Sequence, residues 1–113
     1  MNVVFFQVDG ILNFPASEAK APDGSLGISE EKAKKLKKKL DEENAKAVLY
    51  GSWAKDWDFH DEKCTPKGMY LNKKLDRRGI HILDKINSED SIDGWLARHP
   101  NVEKYVVLEE GDI

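Results

Sequence analysis

The sequence predicts one α/β domain, a mostly parallel sheet with helices packed on both faces in three layers. Three observations predict it. Short apolar runs recur at residues 3–8, 45–50 and 102–108, each the length of a strand and far below the ~18–20 residues of a membrane helix. Between the first two lies a segment with helical spacing, which is the strand–helix–strand order of a parallel pair. The length of 113 residues suits one domain and is too short for two.

Taken in order, Val3-Val4-Phe5-Phe6-Gln7-Val8 is apolar and β-branched and is stopped by Asp9-Gly10, as expected of a strand covered on both faces. Gly10 to Gly27 holds Pro15, Pro22, Gly24 and Ser25 without periodicity, so it reads as a long loop or flap. Ser29 then offers an N-cap, Glu30 and Glu31 place acids in the first turn, and Ala33, Leu36 and Leu40 recur at helical spacing to about Glu43. Six lysines between Lys32 and Lys39 invite a nucleic-acid reading. Glu30 and Glu31, four residues before Lys34 and Lys35, favour a solvated, salt-bridged face instead.

Ala45 to Tyr50 forms a second strand, halted at Gly51-Ser52, and Trp53 to Phe59 suits a short helix or aromatic turn. From His60 to Leu75 the signals are mixed, with Thr65-Pro66-Lys67-Gly68 reading as a turn. Ile80-His81-Ile82-Leu83 reads as a third strand. Ser88 is the expected cap of a last helix that presents Ile92, Trp95 and Leu96 on one face and stops before Pro100. Val102 to Leu108 is the final strand. In such Rossmann-like sheets ligands bind beyond the carboxyl ends of the strands, which selects Gln7 to Gly10, Gly51-Ser52 and Glu109 to Asp112 as neighbours in one crevice.

Composition narrows the function classes. There are 18 Lys+Arg against 21 Asp+Glu, a net charge of -3, so no bulk positive field advertises nucleic-acid coating. The single cysteine, Cys64, excludes an intramolecular disulfide, and the start of the chain lacks a basic region before its apolar stretch. These features predict a cytoplasmic domain without membrane contact.

Phe-Phe-Gln-Val-Asp-Gly-Ile-Leu-Asn at 5–13 resembles the first motif of the haloacid-dehalogenase-like superfamily, an apolar strand followed by Asp-x-Asp-Gly. Val-Leu-Tyr-Gly-Ser-Trp at 48–53 is similar to the second motif of a small branch of it, and Val-Val-Leu-Glu-Glu at 106–110 to its fourth, acidic motif. Order and spacing agree. The nearest likeness is to the small domain of this type associated with Swiss Army Knife RNA repair proteins and with stand-alone bacterial and phage proteins.

In active members the first aspartate attacks phosphorus and the second serves as general acid and base. A hydroxyl and a lysine hold the phosphoryl group, and Mg²⁺ offsets its charge. The resemblance implies Asp9 as acid/base, Gly10, Ser52 and a basic residue as phosphate ligands, and Asp9, Glu109 and Glu110 as metal ligands. Lys73, Lys74, Arg77, Arg78 and Lys85 compete for the basic role, with Lys74 favoured. The nucleophile position falls on Gln7, whose neutral amide cannot form an acyl-phosphate. Losing a nucleophile costs on the order of a million-fold in rate, or roughly 8 kcal/mol of barrier. Gln7 also removes a charge from the metal site and glutamates lengthen its arms, so Mg²⁺ binding is expected to be weakened.

The expected function is therefore a phosphatase-like domain that binds a phosphorylated small molecule, a nucleotide or a protein partner without turnover. The enzyme alternative is a Mg²⁺-dependent phosphohydrolase or phosphotransferase. Longer relatives continue past the acidic motif into another strand and helix, so the sheet is expected to be shortened at Ile113, with an uncovered edge that favours self-association. His60, Asp61, Cys64 and His81 match no compact zinc spacing. Asp56, Asp58 and Asp61 lack the calcium-loop glycine. Trp57 and Trp95 are expected in the core, and Trp53 adjoins the phosphate position.

Overall fold

Val3, Val4, Phe5 and Phe6 have no exposed surface, so the strand they form must be covered on both faces and paired along both edges. In a computed structural model that describes residues 1–113, strand β1 (Asn2–Phe6) lies between β2 (Ala45–Leu49) and β4 (Lys104–Val107), parallel to both. Strand β3 (Ile82–Lys85) extends the sheet beyond β2, also parallel, in the order β3-β2-β1-β4. The sheet is thus wholly parallel, and the outer edges of β3 and β4 carry no further strand.

Strand alternation divides the core. Val4, Phe6, Ala47 and Leu49 join the larger cluster on one face, while Val3, Phe5 and Val48 join Ile86 and Trp95 on the other. Helix α1 (Glu30–Glu43) covers the larger face through Ala33, Leu36 and Leu40. Its Ser29 cap accepts from the Lys32 amide, and it ends at Asn44 in the left-handed region (φ 49°). Its lysines form i,i+4 pairs, Glu31–Lys35, Lys37–Asp41, Lys38–Glu42 and Lys39–Glu43, in keeping with a solvated face. Glu30 reaches out of the helix instead, to Lys74 and Arg78.

Thr65-Pro66-Lys67-Gly68, expected as a turn, is the start of helix α2 (Pro66–Asp76). The same residue types serve both purposes. Thr65 Oγ1 accepts from the Gly68 amide, and proline is tolerated in a first helical turn because its missing N–H would be unbonded there. Leu71 and Leu75 complete the larger core. On the opposite face sits α3 (Ile92–Ala97), whose cap is Ser91 rather than Ser88. Trp95 stands edge-on to Phe5 at 5.4 Å, and with this helix the three layers are complete.

Gly68 fixes how closely α2 approaches the segment after β2, since a Cβ there would run into the backbone carbonyl of Asp56. Alanine for glycine in an exposed helix stabilises by roughly 1 kcal/mol. Gly68→Ala is expected to reverse that sign and destabilise by about 1–3 kcal/mol through overpacking. Urea unfolding reads the difference, and an unchanged or raised midpoint would contradict the packing described.

Candidate functional site

Phe6 lies opposite Leu49 and Phe5 opposite Val107 in the parallel register, so the segments that follow β1, β2 and β4 leave the sheet at the same edge. The chain steps from β1 outward to β2 and β3, then returns to the far side of β1 for β4. That reversal makes the tip of β1 the switch point at which such sheets take their ligands, and the parallel register brings Gln7–Gly10, Tyr50–Ser52 and Leu108–Asp112 to the same edge.

Asp9 is the centre of this edge. Its Oδ2 accepts from Ser52 Oγ at 2.8 Å, and its Oδ1 accepts from Asn13 Nδ2 at 3.0 Å and Trp53 Nε1 at 3.1 Å. Burial pushes the carboxyl pKa up, but the bonds from Asn13, Ser52 and Trp53, with the charge of Lys67, outweigh it and hold the group below its ordinary value. Asp9 is therefore an anion at neutral pH. Ser52 and Trp53 are delivered by a 3₁₀ helix, Ser52–Asp56, that starts at the end of β2.

Gln7 occupies the tip of β1, with its side chain against Gly51. A Cβ at Gly51 would lie 2.9 Å from Gln7 Oε1, and Gly51 has φ +90°, so the close approach and the backbone both require glycine. Gly10 is expected to offer its amide to a phosphate, yet that N–H donates to Asn13 Oδ1 at 2.9 Å. Asn13, 4% exposed, thus ties Asp9 to Gly10 and also bonds the Leu26 carbonyl of the flap. Its only sequence signal is a position four residues after an aspartate that ends a strand.

Lys74 is not brought to the crevice. It is paired with Glu30 at 2.9 Å, because that face of α2 meets the first turn of α1. Arg77 and Arg78 share the same carboxylate, and Lys85 donates to the carbonyls of Ala54 and Trp57. The cation whose charge reaches Asp9 is Lys67, in the first turn of α2. Its Nζ lies 4.3 Å from the centre of the Trp53 ring and 3.2 Å from Asp23 Oδ2. Sequence reasoning missed it because Thr65 to Gly68 read as a turn.

The acidic motif forks. Glu110 lies against Gly10, whereas Glu109 faces Tyr50, whose hydroxyl pKa is raised by burial and by that nearby charge. No three His, Cys, Asp or Glu side chains converge anywhere in the chain. Asp9, Glu109 and Glu110 are accordingly not grouped as a preassembled Mg²⁺ site. The residues of the other metal candidates are also occupied locally, His81 with Asp76 and the Cys64 thiol with the Asp58 backbone.

Comparison of the chain with protein-family models, with curated proteins and with solved structures finds no match in any of the three. The class that fold and crevice define is a small parallel α/β domain with an ionised aspartate at the tip of its central strand.

The lowered pKa of Asp9 carries a sign. A depressed carboxyl stabilises the fold above its unfolded value, near 3.8, and loses that contribution as pH falls through the folded value. Asp9→Asn places an amide opposite the donors and is expected to cost about 1–3 kcal/mol at pH 6. At pH 3 the gap to the native chain should narrow. Urea midpoints at both pH values check this, and an equal gap at each would remove the carboxylate from its assigned role.

Proposed function

We propose that this chain binds a phosphorylated small molecule or nucleotide at the β1–β2–β4 edge and does not turn it over. The crevice is of the kind that the resembled hydrolases use for phosphoryl transfer. One observation carries the reading: the tip of the central strand, where such an enzyme needs an anionic nucleophile, presents the neutral amide of Gln7 against Gly51.

The state of Asp9 supports it. An efficient general acid at neutral pH has its pKa raised toward the working pH, and that of Asp9 is moved the other way. Its two oxygens accept three hydrogen bonds, which lowers their reactivity as a base or nucleophile. Capacity for an anion remains, in the Ser52 hydroxyl and in the Lys67 ammonium. A phosphate entering beside Asp9 would take the Ser52 hydroxyl proton in exchange for its bond to Asp9 Oδ2, with Lys67 as its counter-charge.

The expected outcome is saturable binding of a phosphate ester with no release of product. With 4-nitrophenyl phosphate and Mg²⁺, the native chain should hydrolyse no faster than its Asp9→Asn variant. Saturation transfer or calorimetry with inorganic phosphate and nucleoside monophosphates reads binding separately. Hydrolysis by the native chain well above the Asp9→Asn background would establish a phosphohydrolase in place of a binding module, and Gln7→Asp would then show whether an aspartate at that position adds a covalent route.

A further inference from the structure

Deepening the phosphate-binding reading on which it rests, we propose that Asp23 at the flap tip is a built-in competitor of the ligand. It holds the Lys67 ammonium away from the crevice until a phosphate displaces it.

The flap is organised to present this carboxylate. Lys20 and Leu26 form an antiparallel bridge, the amides of Ala21 and Gly24 close the turn onto the carbonyls of Ser25 and Ala21, and Gly24 takes φ +86°. Buried Ala21 and the Ile28 amide, which donates to the Tyr70 hydroxyl at 2.9 Å, root its base against the core. At the tip, Ser25 donates to Asp23 Oδ1 through both its amide and its hydroxyl, which leaves Oδ2 for Lys67 at 3.2 Å. The bonds from Ser25 and then Lys67 draw the Asp23 pKa down to about 2, so the competitor is charged under all ordinary conditions.

Lys67 is placed for two partners. Its ammonium lies over the Trp53 ring, the same indole whose N–H donates to Asp9, so Asp23 and the crevice flank one cation. A rotation of the lysine side chain, with the flap still rooted, transfers it from one to the other. Lys67 is 20% exposed and the Asp23 carboxyl 50%, so the pair is open to water, and to a competing phosphate dianion, from its carboxylate side.

The test follows the Trp53 indole N–H resonance while inorganic phosphate is titrated into the native chain, Asp23→Asn, Lys67→Met and the double variant. Asp23→Asn should tighten binding by roughly two- to fivefold, the range set by a surface ion pair. Lys67→Met should weaken it by roughly tenfold or more, and in the double variant the Asp23→Asn gain should vanish. Unchanged binding in Asp23→Asn, a gain that survives without Lys67, or native-like binding by Lys67→Met would each overturn the competitor while leaving phosphate binding in place. A phosphate response in none of the four proteins would overturn both readings together.

Discussion

The Asp9 carboxylate joins three segments that the sheet alone would leave independent. Through Asn13 it holds the start of the flap, and through Ser52 and Trp53 it holds the 3₁₀ helix after β2. The bonds are made by an ionised acceptor and are stronger for it. They also set the chemistry of the edge, since they hold the carboxyl in its ionised form.

Nine of the 18 basic side chains are held in ion pairs. The α1 lysines pair along their own helix, and Glu30 gathers Lys74, Arg77 and Arg78 from α2. Such pairs clamp α1 to α2 and leave few cations uncommitted near the crevice. Lys67 differs in that its partner is a carboxylate on the flap turn instead of a helix neighbour. Lys67 thereby contacts both the flap, at Asp23, and the face of Trp53.

Much of the fold was legible in sequence because its signals are local. The β1 run, the Ser29 cap with its first-turn acids, and the apolar spacing of α1 each depend on neighbours within a few residues. The errors fell where one local pattern serves two structures. Thr65 to Gly68 has turn composition and is equally a cap followed by a proline-started helix. Ser88 and Ser91 both precede the apolar face of α3, and it is the Ser91 hydroxyl that accepts from the Gly94 amide. Asp9 and Ser52 could be paired in advance because parallel strands deliver their ends to one edge.

What the sequence determined by itself was the alternation of strands and helices outside α2, the parallel character of the sheet and the presence of an amide at position 7, all properties of residue type and short-range spacing. The tertiary structure alone decided which side chains meet. It sent Lys74 to Glu30, turned Lys67 toward Trp53, engaged both Asp9 oxygens, and set Glu110 beside Gly10 and Glu109 near Tyr50. The physical reason is that long charged side chains reach several ångströms from their backbone. Which of several lysines on α2 finds a given partner depends on how α2 is rotated against its neighbours, and that rotation is set by core packing at Gly68, Leu71 and Leu75.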